Sequence, residues 1–162
     1  MTGYRIRPIN QGEEELLELF LYEAIFQREG VEPLPRSVIQ QPELYVYIED
    51  FGKKDDYCLV AEQEDQIVGA VWTRILSGNQ SGFGNLDDQT PEFAISVLKE
   101  FRGMGIGKAL MSTMLEELKT RGYSRASLAV QKDNYALKMY QNLGFEIIDS
   151  NEEEYIMLRL LG

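Results

Sequence analysis

The stretch Ser96–Gly122, SVLKEFRGMGIGKALMSTMLEELKTRG, decides the reading of this chain. It sets Gly103, Gly105 and Gly107 at alternate positions, just ahead of a run that otherwise reads as a helix from Gly105 to Thr120. Glycine inside a helix costs roughly 0.5–1 kcal/mol relative to alanine, so the backbone itself must be needed there. PEFAISVL, Pro91 to Leu98, reads as a strand, so the loop Arg102 to Gly107 lies between a strand and a helix. Such a loop presents consecutive backbone N–H groups at the positive end of the helix dipole, which is an anion site. A tight turn without a ligand needs only one glycine. Three of them, flanked by Arg102 and Lys108, favour phosphates resting on the main chain.

Two familiar phosphate loops do not fit. A Walker loop needs four residues between its first glycine and the Gly-Lys-[Ser/Thr] end, whereas Ala109 stands here where the magnesium-binding hydroxyl belongs. A dinucleotide fingerprint needs GxGxxG, whereas Gly103-Met104-Gly105-Ile106-Gly107-Lys108 ends in lysine and arrives late in the chain.

Outward from this stretch, periodicity predicts a strand at Tyr4–Arg7 and then a helix capped by Asn10 with Glu13, carrying Leu16, Leu17, Phe20, Ala24 and Ile25. VEPLPRSVIQQP, with three prolines, reads as loop or short helical turns. YCLVAEQ and QIVGAVWTRIL, joined at Glu64-Asp65, predict an antiparallel hairpin. The polar loop Ser77 to Thr90 is either a mobile tip or a binding loop. Beyond the glycine loop come a strand, SRASLAVQ, a helix from Asn134 to Leu143 ended by Gly144, and two strands, FEIID and YIMLRLL. This order describes a mixed-sheet α/β domain, expected as a single unit over residues 1–162.

Composition narrows the chemistry. With no histidine and one cysteine, the chain lacks the usual hydrolase base, the usual zinc ligands and any internal disulfide, so no metal is expected. Cys58, within YCLVA, is expected to be a buried strand residue. Any general base must be a carboxylate, a tyrosine, a lysine or relayed water. A net charge of −11 argues against a nucleic-acid surface and suits a cationic substrate. Neither a secretory leader nor a run of about 18 apolar residues is present, so a cytosolic protein with no membrane partner is expected.

The pattern Arg102-x-x-Gly105-x-Gly107 between strand and helix, with Asn134, Ala136, Tyr140, Gly144 and Phe145 downstream, resembles the GNAT superfamily of acyl-CoA N-acyltransferases. The motifs cover Pro91 to Phe145, and the order of elements extends the likeness across the chain. The resemblance implies a mostly antiparallel sheet flanked by helices, in which two splayed strands form a coenzyme A cleft. It further implies transfer of an acetyl group from acetyl-CoA to a primary amine on a small molecule, a peptide or a protein. A non-catalytic acyl-CoA-binding regulator is the alternative, and a homodimer is among the assemblies the family forms.

On that resemblance, the loop Arg102, Gly103, Met104, Gly105, Ile106, Gly107 and Lys108 holds the pyrophosphate. Ile95, Val97 and Asn134 hold the pantetheine arm, and the Ile95 amide polarises the acyl carbonyl. Spacing alone puts Tyr140 on an inward helix face, where it is a core aromatic or a working phenol; the resemblance makes it the donor to the departing thiolate. Full proton transfer from a phenol (about 10) to a thiolate (about 8.5) would be uphill by roughly 2 kcal/mol in water. Donation must therefore be coupled to breakdown of the intermediate, or the site must lower the phenol's pKa. Glu92 is either a solvated strand-end carboxylate or the catalytic base, and Ala129 stands where some relatives keep a second carboxylate. Tyr45, Tyr47, Trp72 and Phe83 are candidates for lining an acceptor pocket.

Overall fold

The computed structural model describes residues 3–28, 30–76 and 82–162; Ser77 to Ser81 of the polar loop lie outside them. Seven strands form one sheet: β1 (Arg5–Pro8), β2 (Tyr57–Gln63), β3 (Gln66–Arg74), β4 (Glu92–Val97), β5 (Arg125–Gln131), β6 (Glu146–Ser150) and β7 (Glu154–Leu160). Their spatial order is β1-β2-β3-β4-β5-β7-β6, and every neighbouring pair is antiparallel except β4 and β5. The helices are α1 (Leu16–Ala24), α2 (Pro42–Tyr45), α3 (Ile106–Thr120) and α4 (Ala136–Asn142). No helix among the described residues is long and apolar enough to cross a membrane.

The predicted β2–β3 hairpin forms, with β3 ending at Arg74, two residues short of the run read from sequence, and Glu64 and Asp65 both take positive φ, 51° and 64°, as a two-residue turn of matching twist requires. The start of α1 differs from expectation. Glu13 does accept the Asn10 N–H at 2.7 Å, the return half of a capping box, but its two oxygens are also forked by Arg7 at 2.9 Å each. Turns fill the next residues, and the helix begins at Leu16.

Period-two alternation splits the apolar residues between two cores. On one face, Phe93 and Val97 of β4, Ala126, Leu128 and Val130 of β5 and Met157 of β7 pack with α3, Tyr140 and Phe145. On the other, Cys58, Val60, Ala70 and Trp72 pack with Leu17, Phe20 and Leu21 of α1. Cys58 is buried, and that burial pushes its thiol well above its ordinary pKa. Tyr45 and Trp72 therefore belong to this packing; Trp72 donates its indole N–H to the Tyr47 carbonyl at 3.0 Å.

Candidate active site

β4 and β5 run parallel but meet at a single bridge, Glu92 opposite Ser127, closed by the Ser127 N–H on the Pro91 carbonyl at 2.9 Å. Beyond it the strands diverge, leaving the backbone groups along the split without a ladder. Buried backbone polar groups require partners, so the opening is suited to an extended ligand that supplies them. Two adjoining cavities of about 300 Å³ each occupy it, and both are lined by Ile95, Asn134 and Tyr140.

The second cavity runs from Tyr140 to the glycine loop, where Val97, Arg102, Gly103, Gly105, Gly107 and Lys108 line it. Gly103 and Gly105 have φ of 79° and 84°, the left-handed region closed to most side chains. A Cβ at either would meet nothing within 4 Å, so conformation and an open approach, not crowding, call for glycine. Gly105 precedes α3 without a side-chain cap, and the Ala109 N–H bonds the Gly105 carbonyl at 3.1 Å. The amides of Ile106, Gly107 and Lys108 come earlier and have no helical carbonyl to serve. These are the features of a diphosphate cradle. Gly105→Ala is expected to lose about 1 kcal/mol of stability from the φ penalty, read as a lowered urea midpoint with an unchanged slope.

Three residues of this loop contribute differently from a simple reading of the motif. Arg102 directs its Nε to the Val97 carbonyl at 2.8 Å and lies 3.6 Å from Glu23, so its side chain braces the loop against β4. Ile106 is buried in the core and offers only its amide, while the Met104 side chain is exposed and does not line the cavity. Asn134 accepts the Ala136 N–H at 2.9 Å, which fixes the turn into α4.

The first cavity extends towards α1 and α2, and Glu92 lies there. Sequence left this residue as solvated or catalytic; the structure rules out solvation, because Glu92 is only 2% exposed. Its Oε2 accepts the Tyr47 hydroxyl and the Gly84 N–H, the latter at 2.9 Å, and the Tyr47 oxygen in turn accepts the Phe83 N–H at 2.7 Å. Oε1 is buried with no hydrogen-bond partner among the described residues. Burial disfavours the charged form and the Glu154 charge adds to it, outweighing the Tyr47 and Gly84 bonds, so the carboxyl titrates at about 7 instead of 4.5. Gly84 must be glycine for a different reason: a Cβ there would lie 2.7 Å from the Leu128 carbonyl carbon and 2.8 Å from the Ala129 nitrogen. The loop over Glu92 is seated directly on the β5 backbone.

Glu92 and Tyr140 reach the split from opposite faces. Phe93 and Val97 belong to the α3 core with Tyr140, whereas Ala94 packs with α1, so alternation turns Glu92 to the α1 side. Burial raises the Tyr140 phenol well above its ordinary pKa. That runs against the expectation of a lowered pKa and keeps the phenol protonated. Phe83 and Tyr47 both line the first cavity and stack with ring centroids 6.3 Å apart. Reasoning from sequence did not pair Tyr47 with Glu92, nor single out Gly82 and Gly84; the two glycines around Phe83 were the available signal.

The family model described as the acetyltransferase (GNAT) family matches residues 21–145. Among curated proteins, a mycothiol acetyltransferase of Kocuria rhizophila is 28% identical over 149 residues, which are 89% of this chain and 46% of that protein. Human N-acetyltransferase 8B is 36% identical over 94 residues, 54% of this chain and 37% of that protein. The chain spans between 26% and 60% of the length of the curated relatives it matches. Among solved structures, PaiA N-acetyltransferase from Thermoplasma acidophilum in complex with coenzyme A has a TM-score of 0.68 at 18% identity, over 98% of this chain and 99% of that one. That likeness extends the shared fold to both ends of the chain. With the family match running from α1 through the glycine loop to the turn after α4, the chain belongs to the acetyltransferase (GNAT) family.

Proposed function

We propose that this chain is a single N-acetyltransferase domain that moves an acetyl group from acetyl-CoA to a primary amine by direct attack, without an acyl-enzyme. The observation that carries this is the split between β4 and β5, which has a phenol on one face, a buried carboxylate on the other and uncapped helix amides at its end. Acetyl-CoA supplies a thioester carbonyl as electrophile and a thiol as leaving group. The amides of Gly105 to Lys108 and the positive end of α3 would hold its diphosphate, and Ile95, Val97 and Asn134 would hold the pantetheine arm. The Ile95 N–H would polarise the carbonyl.

An aliphatic ammonium, with a pKa near 10.4, cannot attack until it loses a proton. Glu92, titrating at about 7, is matched to that task near neutrality and receives the proton through a relayed water, since Oε1 itself is buried. Tyr140 donates its hydrogen bond to the sulfur as the C–S bond breaks and the C–N bond forms. Tyr140→Phe is expected to lower thiol release about a hundredfold while leaving coenzyme A binding, read by thermal shift, nearly unchanged. Thiol release equal to wild type would remove Tyr140 from the chemistry. Coenzyme A binding without release from any amine would favour the regulator reading.

A further inference from the structure

The half of the cleft on the α1 face is lined by three carboxylates, Glu92, Glu153 and Glu154, and by no basic residue among those described. The cleft's cations, Arg102 and Lys108, line the other cavity. Arg28, which feels the charge of Glu153, is forked onto Asp133 at 2.5 and 2.8 Å. Glu92 Oε1 has no partner among the described residues. Tyr47 and Gly84 satisfy only Oε2, so the buried carboxylate keeps one bare oxygen and has no counter-charge, which is costly, and a second negative charge nearby makes it more so. Glu154 is that second charge, and burial raises its own pKa.

The strand register arranges these groups as a trough. Glu92 lies beside Ser127, while Glu154 pairs with Gln131, four positions further along β5, or about 13 Å of strand. Because Leu128 and Val130 point into the α3 core, Ser127, Ala129 and Gln131 share the α1 face, and cross-strand pairing puts Glu154 on that face too. Ala129 lies between the two acidic ends, and its methyl group leaves the floor open. Leu21 and Leu44 form the wall above.

From this trough we infer that the acceptor is a dication, a primary amine carrying a second cationic group across a short apolar spacer, with one positive end facing Glu92 and the other held at the mouth by Glu153 and Glu154. The inference rests on the transfer reading for which end reacts. The apolar spacer lies over Ala129, and the paired charges relieve buried Glu92 and half-buried Glu154. A carboxylate on the acceptor would meet the same acidic mouth and be repelled, so free amino acids are poor substrates.

The test compares kcat/KM with acetyl-CoA for hexane-1,6-diamine, hexylamine and 6-aminohexanoate. The diamine is expected to exceed hexylamine by about tenfold, and hexylamine to exceed the amino acid by a similar factor. Glu154→Gln, which keeps the shape and removes the charge, is expected to shrink the diamine's advantage over hexylamine to about threefold or less. Calorimetric titration of the diamine into protein saturated with coenzyme A reads the same preference without turnover. Diamine binding that depends on Glu154, without thiol release, upholds the inference while the transfer reading fails. Equal rates or affinities for diamine and hexylamine in the wild type overturn it, as does an equal loss for both amines in Glu154→Gln.

Discussion

Glu92→Gln is expected to lower kcat about a thousandfold, because an ammonium left protonated has no lone pair, whereas a thiolate is already a tolerable leaving group. Wild-type kcat/KM should climb with pH through about 7 as the carboxyl deprotonates. The variant should lack that limb and follow only the amine's own titration at higher pH. The same substitution is expected to stabilise the protein. Glu92 has a folded pKa raised from 4.5 to about 7, so the folded state holds the proton more tightly than the unfolded one. The benefit of that proton is present below 4.5 and is lost as pH rises through 7. At pH 8 the variant should therefore gain up to about 3 kcal/mol over wild type, and little at pH 4. Urea unfolding at the two pH values checks this. A difference that does not grow with pH would mean that the carboxylate is not held out of water.

Asp56→Ala should be the most damaging change far from the chemistry. Asp56 and Arg74 are each 4% exposed and meet at 3.0 Å, and Asp56 also accepts the N–H groups of Gly52 and Lys53 at 2.9 Å. Removing the carboxylate leaves a guanidinium buried without its counter-charge, a loss of about 3–5 kcal/mol, readable as a lowered urea midpoint. The exposed Arg5–Glu62 pair is worth at most about 1 kcal/mol. Arg74 also donates to the Val46 carbonyl at 2.9 Å, next to the Tyr47 carbonyl that receives Trp72. Residual activity of Asp56→Ala should therefore fall at temperatures where the fold persists, since Tyr47 would no longer be held over Glu92. Full specific activity below the melting transition would contradict that link.

Much of this architecture follows from local pattern. Alternation placed β2 and β3 within a residue or two, and the glycine loop, α3 and the turn at Gly144 came from chemistry within a few residues of one another. The splayed pair and its phenol were legible only through the family resemblance, because Ile95, Val97 and Tyr140 look like ordinary apolar positions. What escaped were the consequences of distant packing. Glu92 is buried because Tyr47, 45 residues earlier, and the loop at Gly82 to Gly84 close over it. Arg102 looks like a free cation in the motif, but the Val97 carbonyl claims it. Nothing in the string of residues around Ala129 announces a trough, since its acidic end arrives on a strand that follows α4 in the chain.

The lone bridge between β4 and β5 gives the sheet an unusual mechanical character. Its two halves, four strands and three, are riveted rather than laced: Ser127 Oγ to the Gly84 carbonyl at 2.7 Å, the Arg125–Asp87 pair and the continuous chain through α3 carry the load across the seam. The side-chain rivets lie at the bridged end, and further along it is packing in the α3 core that spans the seam. A ligand filling the seam would supply the mortar that the missing ladder leaves out.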